Sequence, residues 1–124
     1  MARKKVLNVG HCHADGPAIT RMIQKNFDAD VIPAETFEDA LALLRQQPFD
    51  LVLVNRVLDA DGTSGQQLIE KIKADEKLKE APVMLVSNYD NYQKDAVKAG
   101  ALPGFGKAAL GSPATVARLK KYLS

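Results

Sequence analysis

The chain has 124 residues, enough for one domain, 1–124, that buries about two thirds of the surface exposed in its unfolded state. Its formal net charge of +2 is too weak to indicate nucleic-acid binding, and no apolar run approaches the ~20 residues of a membrane span. The single cysteine, Cys12, excludes an intrachain disulfide and suits a reducing compartment, so we expect a soluble, cytoplasmic protein.

Short apolar runs of strand length alternate along the chain with helical patterns. The predicted strands are 6–9, 31–32, 51–54, 82–86 and a weaker one at 102–105. Five strand–helix repeats predict parallel strands that are joined by right-handed crossovers and covered by helices on both faces. Length and element count favour an α/β, flavodoxin-like (βα)5 fold, a doubly wound sheet with strand order 2-1-3-4-5.

Polar residues mark the predicted helix ends. Ser112 lies before Pro113, which suits the first position of a helix, and Gly100 is typical of a left-handed residue that ends one. Three further pairs have the spacing of a capping box, in which a side chain accepts a hydrogen bond from the backbone three residues on: Thr36 with Asp39, Ser64 with Gln67, and Asp90 with Gln93.

Chemically active side chains follow four of the predicted strands. The segment 10–13 follows the first strand, Asn55 the third, Ser87 the fourth and Lys107 the fifth. In a sheet of this order the ligand crevice lies at the carboxyl ends of strands 1 and 3. We therefore expect these residues to surround one crevice.

Three segments resemble the receiver domains of two-component response regulators, and the resemblance extends over essentially the whole chain. They are 49–55 (Phe-Asp-Leu-Val-Leu-Val-Asn), 82–87 (Pro-Val-Met-Leu-Val-Ser) and 99–107, which begins Ala-Gly-Ala. In that family an acid pair after strand 1 holds Mg²⁺ and an Asp after strand 3 accepts a phosphoryl group. A Ser or Thr after strand 4 binds that group, and a Lys after strand 5 pairs with it.

The chain keeps only part of that site. The resemblance places Ser87 and Lys107 on two of the family's positions, but the acid pair falls on Gly10 and His11, and the phospho-acceptor on Asn55. An amide has no ionised oxygen to attack phosphorus, and Mg²⁺ usually needs carboxylates. We therefore expect a degenerate receiver, or pseudo-receiver, with no Mg²⁺ or other cofactor, no catalytic residue and no enzymatic activity.

The loss of acids changes the charge of the crevice. A buried Lys107 ammonium without a counterion is costly, so it should reach solvent, the Asn55 amide oxygen or an anion. The N-terminus of the first helix, near 15–17, also favours an anion there. Two alternatives stay open: a pocket of His11, Asn55, Ser87 and Lys107 that hydrogen bonds seal, or one that binds a small anion such as phosphate.

Metal sites are weakly supported. Zinc needs three or four converging ligands, and the neighbours His11, Cys12 and His13 rarely point to one spot. The segment 59–65 makes the loop after strand 3 longer than the family's usual turn, and it lacks the bidentate Glu of a calcium loop. A small-ligand, anion or metal-binding domain that uses these three residues and Lys107 remains the alternative to a signalling module.

The resemblance also implies an interaction surface. The family's switch aromatic falls on Gly104, which suggests that the aromatic switch is missing or has moved. We expect an atypical receiver-like module, monomeric or weakly dimeric, that binds a protein partner in a two-component-type pathway without phosphorylation. It should bind no membrane and, through this domain, no nucleic acid. The corresponding face, 90–124, includes Tyr92, Phe105, Arg118 and Tyr122.

Overall fold

Residues 3–124 are described by a computed structural model. The elements are β1 Lys4–Val9, α1 Asp15–Asn26, β2 Ala29–Ala34, α2 Phe37–Gln46, β3 Leu51–Asn55, α3 Gly65–Ala74, β4 Val83–Val86, α4 Asp90–Lys98, β5 Leu102–Phe105 and α5 Pro113–Leu123. The strands pair in parallel in the order β2-β1-β3-β4-β5, so the predicted flavodoxin-like fold is confirmed. No helix within 3–124 is long and apolar enough to cross a membrane.

The sheet separates two apolar cores. Val6 faces a core formed with α1 and α5, and Leu7 faces a second core formed with α2 and α3. All five residues of β3 are buried, because helices cover both of its faces. This double burial explains the continuous apolar run at 51–54.

The second strand is longer than predicted. β2 pairs with β1 over six residues, from Ala29 opposite Lys4 to Ala34 opposite Val9. It lies at the edge of the sheet, where exposed Asp30 and Pro33 interrupt its apolar pattern. An edge strand tolerates a proline because one side of its backbone needs no ladder partner.

Most predicted helix ends are confirmed. Gly100 has a φ of +111°, as expected of the residue that ends α4. Three side chains accept hydrogen bonds from the backbone N–H three residues on: Thr36 from Asp39 at 3.1 Å, Ser64 from Gln67 at 3.3 Å, and Ser112 from Thr115 at 3.3 Å.

The predicted capping box of Asp90 and Gln93 is wrong. Asp90 is already the first residue of α4, and the N-cap residue Tyr89 makes no side-chain cap bond. Gln93 turns toward the sheet instead, where its Nε2 donates to the Leu85 carbonyl at 2.9 Å and its Oε1 accepts from Gly104 N at 3.0 Å. A long-range partner has therefore replaced the local one.

The contacts of Gln93 lie at an irregularity in the pairing of β4 and β5. β5 carries an extra residue against β4, and Pro103 within β5 has no N–H to donate. The Gln93 amide supplies the missing hydrogen-bond partners for Leu85 and Gly104, and it also donates to the Ser87 carbonyl at 3.1 Å. One side chain thus ties α4 to both β4 and β5.

Candidate functional site

Three of the four predicted pocket residues lie together at the carboxyl edge of the sheet. Asn55 ends β3, Ser87 follows β4 and Lys107 follows β5, and all three line one cavity of about 190 Å³. Arg56 and Asn88 line it as well. Their convergence follows from the parallel strand order, which brings these strand ends side by side.

The Asn55 side chain joins two backbone segments. It is 8% exposed, and its Nδ2 donates to the Gly10 carbonyl at 3.0 Å and to the Val57 carbonyl at 2.7 Å. Both partners are acceptors, so only the nitrogen end of the amide fits this position. A carboxylate there would set an anionic oxygen against two carbonyl oxygens. The amide is therefore suited to this loop geometry in a way that an Asp is not.

The loop after β3 closes the crevice beside β1. Leu58 is fully buried in the core, and the backbone N–H of Asp59 donates to the Gly10 carbonyl at 2.9 Å. Gly10 has a φ of +77°, and a Cβ on it would lie 2.5 Å from Leu58 Cγ. A side chain at Gly10 would therefore be both strained and obstructed, which excludes an acid at this position. The sequence interpretation overlooked Leu58, although the apolar pair that it forms with Val57 was a usable signal.

Lys107 has a carboxylate partner that the sequence interpretation did not assign. Its Nζ lies 2.8 Å from Asp15 Oδ2, and the two side chains are 31% and 34% exposed. The hydrogen bond from Lys107 is the main reason that the pKa of Asp15 is below its ordinary value, and a weaker one from Cys12 adds to it. The idea that this crevice lacks acids is thus wrong, because the first turn of α1 brings one in.

His11 does not line the Asn55 cavity. It lines a cavity of about 200 Å³ with Glu35 and Asp59, and a larger groove next to β2. Its pKa is lowered to about 4, mainly because burial disfavours the charged ring and also because Lys107 repels it, although Asp15 acts in the opposite direction. The ring is therefore neutral at pH 7, and the predicted four-residue pocket is divided between separate cavities.

Ser87 and Asn88 serve local structure. Ser87 is 7% exposed, and its Oγ accepts a hydrogen bond from Tyr89 N at 3.2 Å. Asn88 Oδ1 accepts from Ala108 N at 3.0 Å, which holds the turn that carries Lys107. The hydroxyl and both amides of this crevice thus support the loops around it.

The residues at the crevice do not fit Mg²⁺. This ion needs several oxygen ligands in octahedral geometry, but the Gly10 carbonyl already accepts two hydrogen bonds and Asp15 is paired with Lys107. Within residues 3–124, no group of three or more His, Cys, Asp and Glu side chains could hold a metal ion. In the calcium-like turn, Asp61 Oδ1 instead accepts two hydrogen bonds from Thr63.

The predicted interaction face is only partly at the surface. Tyr92 is 37% exposed, and the Arg56 guanidinium lies 4.5 Å from the centre of its ring. Arg118 is exposed and donates to the Gly104 carbonyl, whereas Tyr122 is half-buried against the core.

Phe105 does not belong to that face. It is 4% exposed and packs in the core shared by α1 and α5, because its position on β5 points inward. Gly104 cannot carry an aromatic ring either, since a Cβ there would overlap the Leu85 carbonyl oxygen. Neither position therefore offers a surface aromatic.

No protein-family model matches the chain, and no curated protein matches it either. Several solved structures do match the chain. A response regulator from Thermotoga maritima has a TM-score of 0.77 at 24% identity, over 98% of each chain. The signal receiver domain of a DNA-binding response regulator from Colwellia psychrerythraea has a TM-score of 0.80 at 21% identity, over 95% of this chain and 96% of that one.

A chemotaxis response regulator of Vibrio cholerae gives a TM-score of 0.74 at 16% identity, over 98% of this chain and all of the other. These likenesses extend from one end of the fold to the other. At such low identity they show that the chain has the fold of receiver domains, and they do not assign roles to its residues.

Proposed function

We propose that the chain is an atypical receiver-like signalling module that works through protein–protein contacts without phosphorylation. The observation that carries this proposal is the Asn55 amide, which donates to the Gly10 and Val57 carbonyls where the resemblance would place a phospho-acceptor. Such a side chain stabilises the loop and has no nucleophilic oxygen.

The surroundings of Asn55 support the same conclusion. Phosphoryl transfer depends on positioning and on metal ions that neutralise charge. Here Gly10 has no room for an acid, and Lys107 is already paired with Asp15. The crevice thus lacks the charge arrangement that the reaction needs.

The face formed by α4, β5 and α5 offers a fixed surface for a partner. Gln93 ties α4 to β4 and β5, and Gly104 leaves no room for an aromatic that could change rotamer there. A groove of about 470 Å³ runs between α4 and β5, with apolar Val97 and Pro103 beside exposed Lys98. We infer a constitutive docking face on α4, β5 and α5.

Phosphorylation is tested by incubating the protein with acetyl phosphate and Mg²⁺ and measuring its intact mass. We expect no added phosphoryl group on the wild type or on Asn55→Asp, because the single change restores neither the acid pair nor the free lysine. Mg²⁺-dependent phosphorylation of Asn55→Asp would show that the crevice still holds a metal. A phosphoryl mass on the wild type that disappears on substituting Asn55 would refute the proposal.

The docking face is tested with two matched charge reversals. Lys98→Glu and Lys25→Glu each replace an exposed lysine in the last turn of a helix, on α4 and α1 respectively. Cross-linking in extracts of the native host should identify a partner that Lys98→Glu loses and Lys25→Glu keeps. The reverse result would place the interface on α1.

A small-anion site is the second candidate, and the favouring observation is that Arg56 and Lys107 line the same 190 Å³ cavity as Ser87. Titration with phosphate, followed by backbone amide NMR shifts, would place saturable changes at Ser87 and Lys107. An absence of shifts at millimolar phosphate would leave the hydrogen-bonded, sealed crevice as the account of this cavity.

A further inference from the structure

A second concave site lies on the other side of β1, away from Asn55. It is a groove of about 460 Å³ between the β1–β2 edge of the sheet and helix α1. Asn8 and His11 form its inner wall, Val31 and Pro33 of β2 form one side, and Arg21 lies on the helix side. Its volume falls within the range of about 300–1,000 Å³ that is usual for small-molecule sites.

Asn8 is the unexpected residue in this groove. It lies opposite Pro33 in the parallel register of β1 and β2, two residues beyond Val6, which belongs to the apolar core. Asn8 is only 5% exposed, and its buried Oδ1 has no hydrogen-bond partner among residues 3–124. A buried polar group without a partner destabilises the folded state, so folding alone does not account for an amide here.

His11 adds a second unpartnered group to the same wall. Nδ1 and Nε2 of its ring are both buried, and neither has a hydrogen-bond partner in the described part of the chain. A neutral imidazole offers one N–H donor and one acceptor nitrogen. Asn8 and His11 thus both contribute unpartnered polar atoms to the wall of one groove, which Val31 and Pro33 of β2 also line.

The rim of the groove is balanced in charge. Arg21 and Glu35 both line it and are exposed, and neither forms an ion pair with any residue of 3–124. One cation and one anion at the rim favour a ligand without net charge. This distinguishes the groove from the Asn55 cavity, which Arg56 and Lys107 make basic.

We propose that this groove binds a small, uncharged nitrogen heterocycle or carboxamide whose edge carries a hydrogen-bond donor beside an acceptor. An asparagine amide pairs with such an edge through two parallel hydrogen bonds, the geometry that it uses toward the amino group and ring nitrogen of adenine. Val31 and Pro33 provide the apolar contact that a planar ring needs. The site is independent of the proposed signalling function, because it shares neither Asn55 nor the α4 face.

The test uses adenosine and nicotinamide as probes, and each is titrated into the ¹⁵N-labelled protein. Saturable shifts are expected at the Asn8 side-chain amide and at the His11 ring nitrogens. Asn8→Leu should weaken probe binding at least tenfold, whereas Asn91→Leu, an exposed matched control on α4, should leave it unchanged. No saturable shift for either probe at millimolar concentration would overturn the proposal, as would equal binding by Asn8→Leu.

Thermal unfolding provides a readout that does not depend on the NMR signals. Without a probe, Asn8→Leu should melt at a higher temperature than the wild type, because the substitution removes an unpartnered amide. With a saturating probe, only the wild type should gain melting temperature. A lower melting temperature for Asn8→Leu, combined with no gain for the wild type, would show that Asn8 serves stability through a bound water and would overturn the ligand site.

Discussion

Two buried asparagines on neighbouring strands have opposite surroundings. Asn55 at the end of β3 is 8% exposed, and its nitrogen donates to two carbonyl oxygens. Asn8 on β1 is 5% exposed, and its oxygen has no partner within 3–124. Asn55 and Asn8 are thus alike in residue type and in burial. They differ in hydrogen bonding, which lets Asn55 stabilise the fold and leaves Asn8 to lower its stability.

The two sites around these residues differ in the same way. On the β3 side of β1, Leu58 of the loop 56–64 is buried against Gly10, and the backbone N–H of Asp59 donates to the Gly10 carbonyl. On the β2 side, the groove stays open and keeps polar atoms unpaired. Natural proteins retain groups that lower the stability of the fold where a function depends on them. The comparison therefore supports a structural role for Asn55 and motivates the ligand site proposed around Asn8.

The sharpest test of the packing beside Gly10 is Leu58→Ala. The leucine is fully buried beside Gly10, so its truncation should lower the free energy of unfolding by about 3–4 kcal/mol through lost transfer energy and a cavity. The adjacent Val57→Ala is the control. This valine is 40% exposed, so its truncation should lower the free energy of unfolding by less than about 0.5 kcal/mol. Denaturant unfolding measures both. Similar losses would show that Leu58 is not packed in the core beside Gly10.

The asparagine comparison is tested directly by giving both positions the same substitution. Asn55→Leu should cost about 2–3 kcal/mol, because it leaves the carbonyls of Gly10 and Val57 with fewer donors in a buried site. Asn8→Leu should stabilise the protein, because it removes an unpartnered buried amide. Urea unfolding of both variants gives the difference, and equal costs would remove the distinction on which the comparison rests.

The pH dependence of stability tests the burial of His11. Its folded pKa of about 4 lies below its ordinary value of 6.5, so between these values the unfolded chain binds more protons than the folded one. The contribution of His11 to stability should be fully present above about pH 6.5 and should fall by roughly 3 kcal/mol as the pH drops to about 4. His11→Gln should flatten this slope, and His13→Gln, an exposed control, should leave it. An unchanged slope in His11→Gln would mean that the ring is not buried neutral.

The smallest expected effect concerns the ion pair between Lys107 and Asp15. Lys107 and Asp15 are each about one-third exposed, so a double-mutant cycle with Lys107→Met and Asp15→Asn should give a coupling of about 0.5–1 kcal/mol. Added salt should reduce it. A coupling near zero would mean that Lys107 is free to bind an anion, which would favour the second candidate function.

Local sequence signals predicted local structure well. Thr36, Ser64 and Ser112 cap helices as expected, because a cap needs only a side chain and the backbone three residues away. The predicted capping box of Asp90 and Gln93 was wrong because Gln93 has a long-range partner. The Gln93 amide binds backbone groups of β4 and β5, where the strand pairing is irregular, and not the local helix end.

The site was predicted less completely than the fold. The positions of Asn55, Ser87 and Lys107 followed from strand order, and the three residues do share a cavity. The partner of Lys107 did not follow, because Asp15 is 92 positions away in the sequence (107 − 15) and its approach depends on how α1 packs. Phe105 was assigned to the surface, and a strand only four residues long left the direction of its side chain undetermined.

The sequence by itself determined the fold, since periodicity, caps and strand count depend on short-range preferences that sum to one topology. It also determined that residue 55 carries an amide, which is no phosphoryl acceptor in any geometry. Only the tertiary structure decided what the polar atoms do: that Asn55 is paired, that Lys107 meets Asp15, and that Asn8 and His11 remain unpartnered. Hydrogen bonds and ion pairs vary steeply with distance and angle, which packing sets and residue order does not.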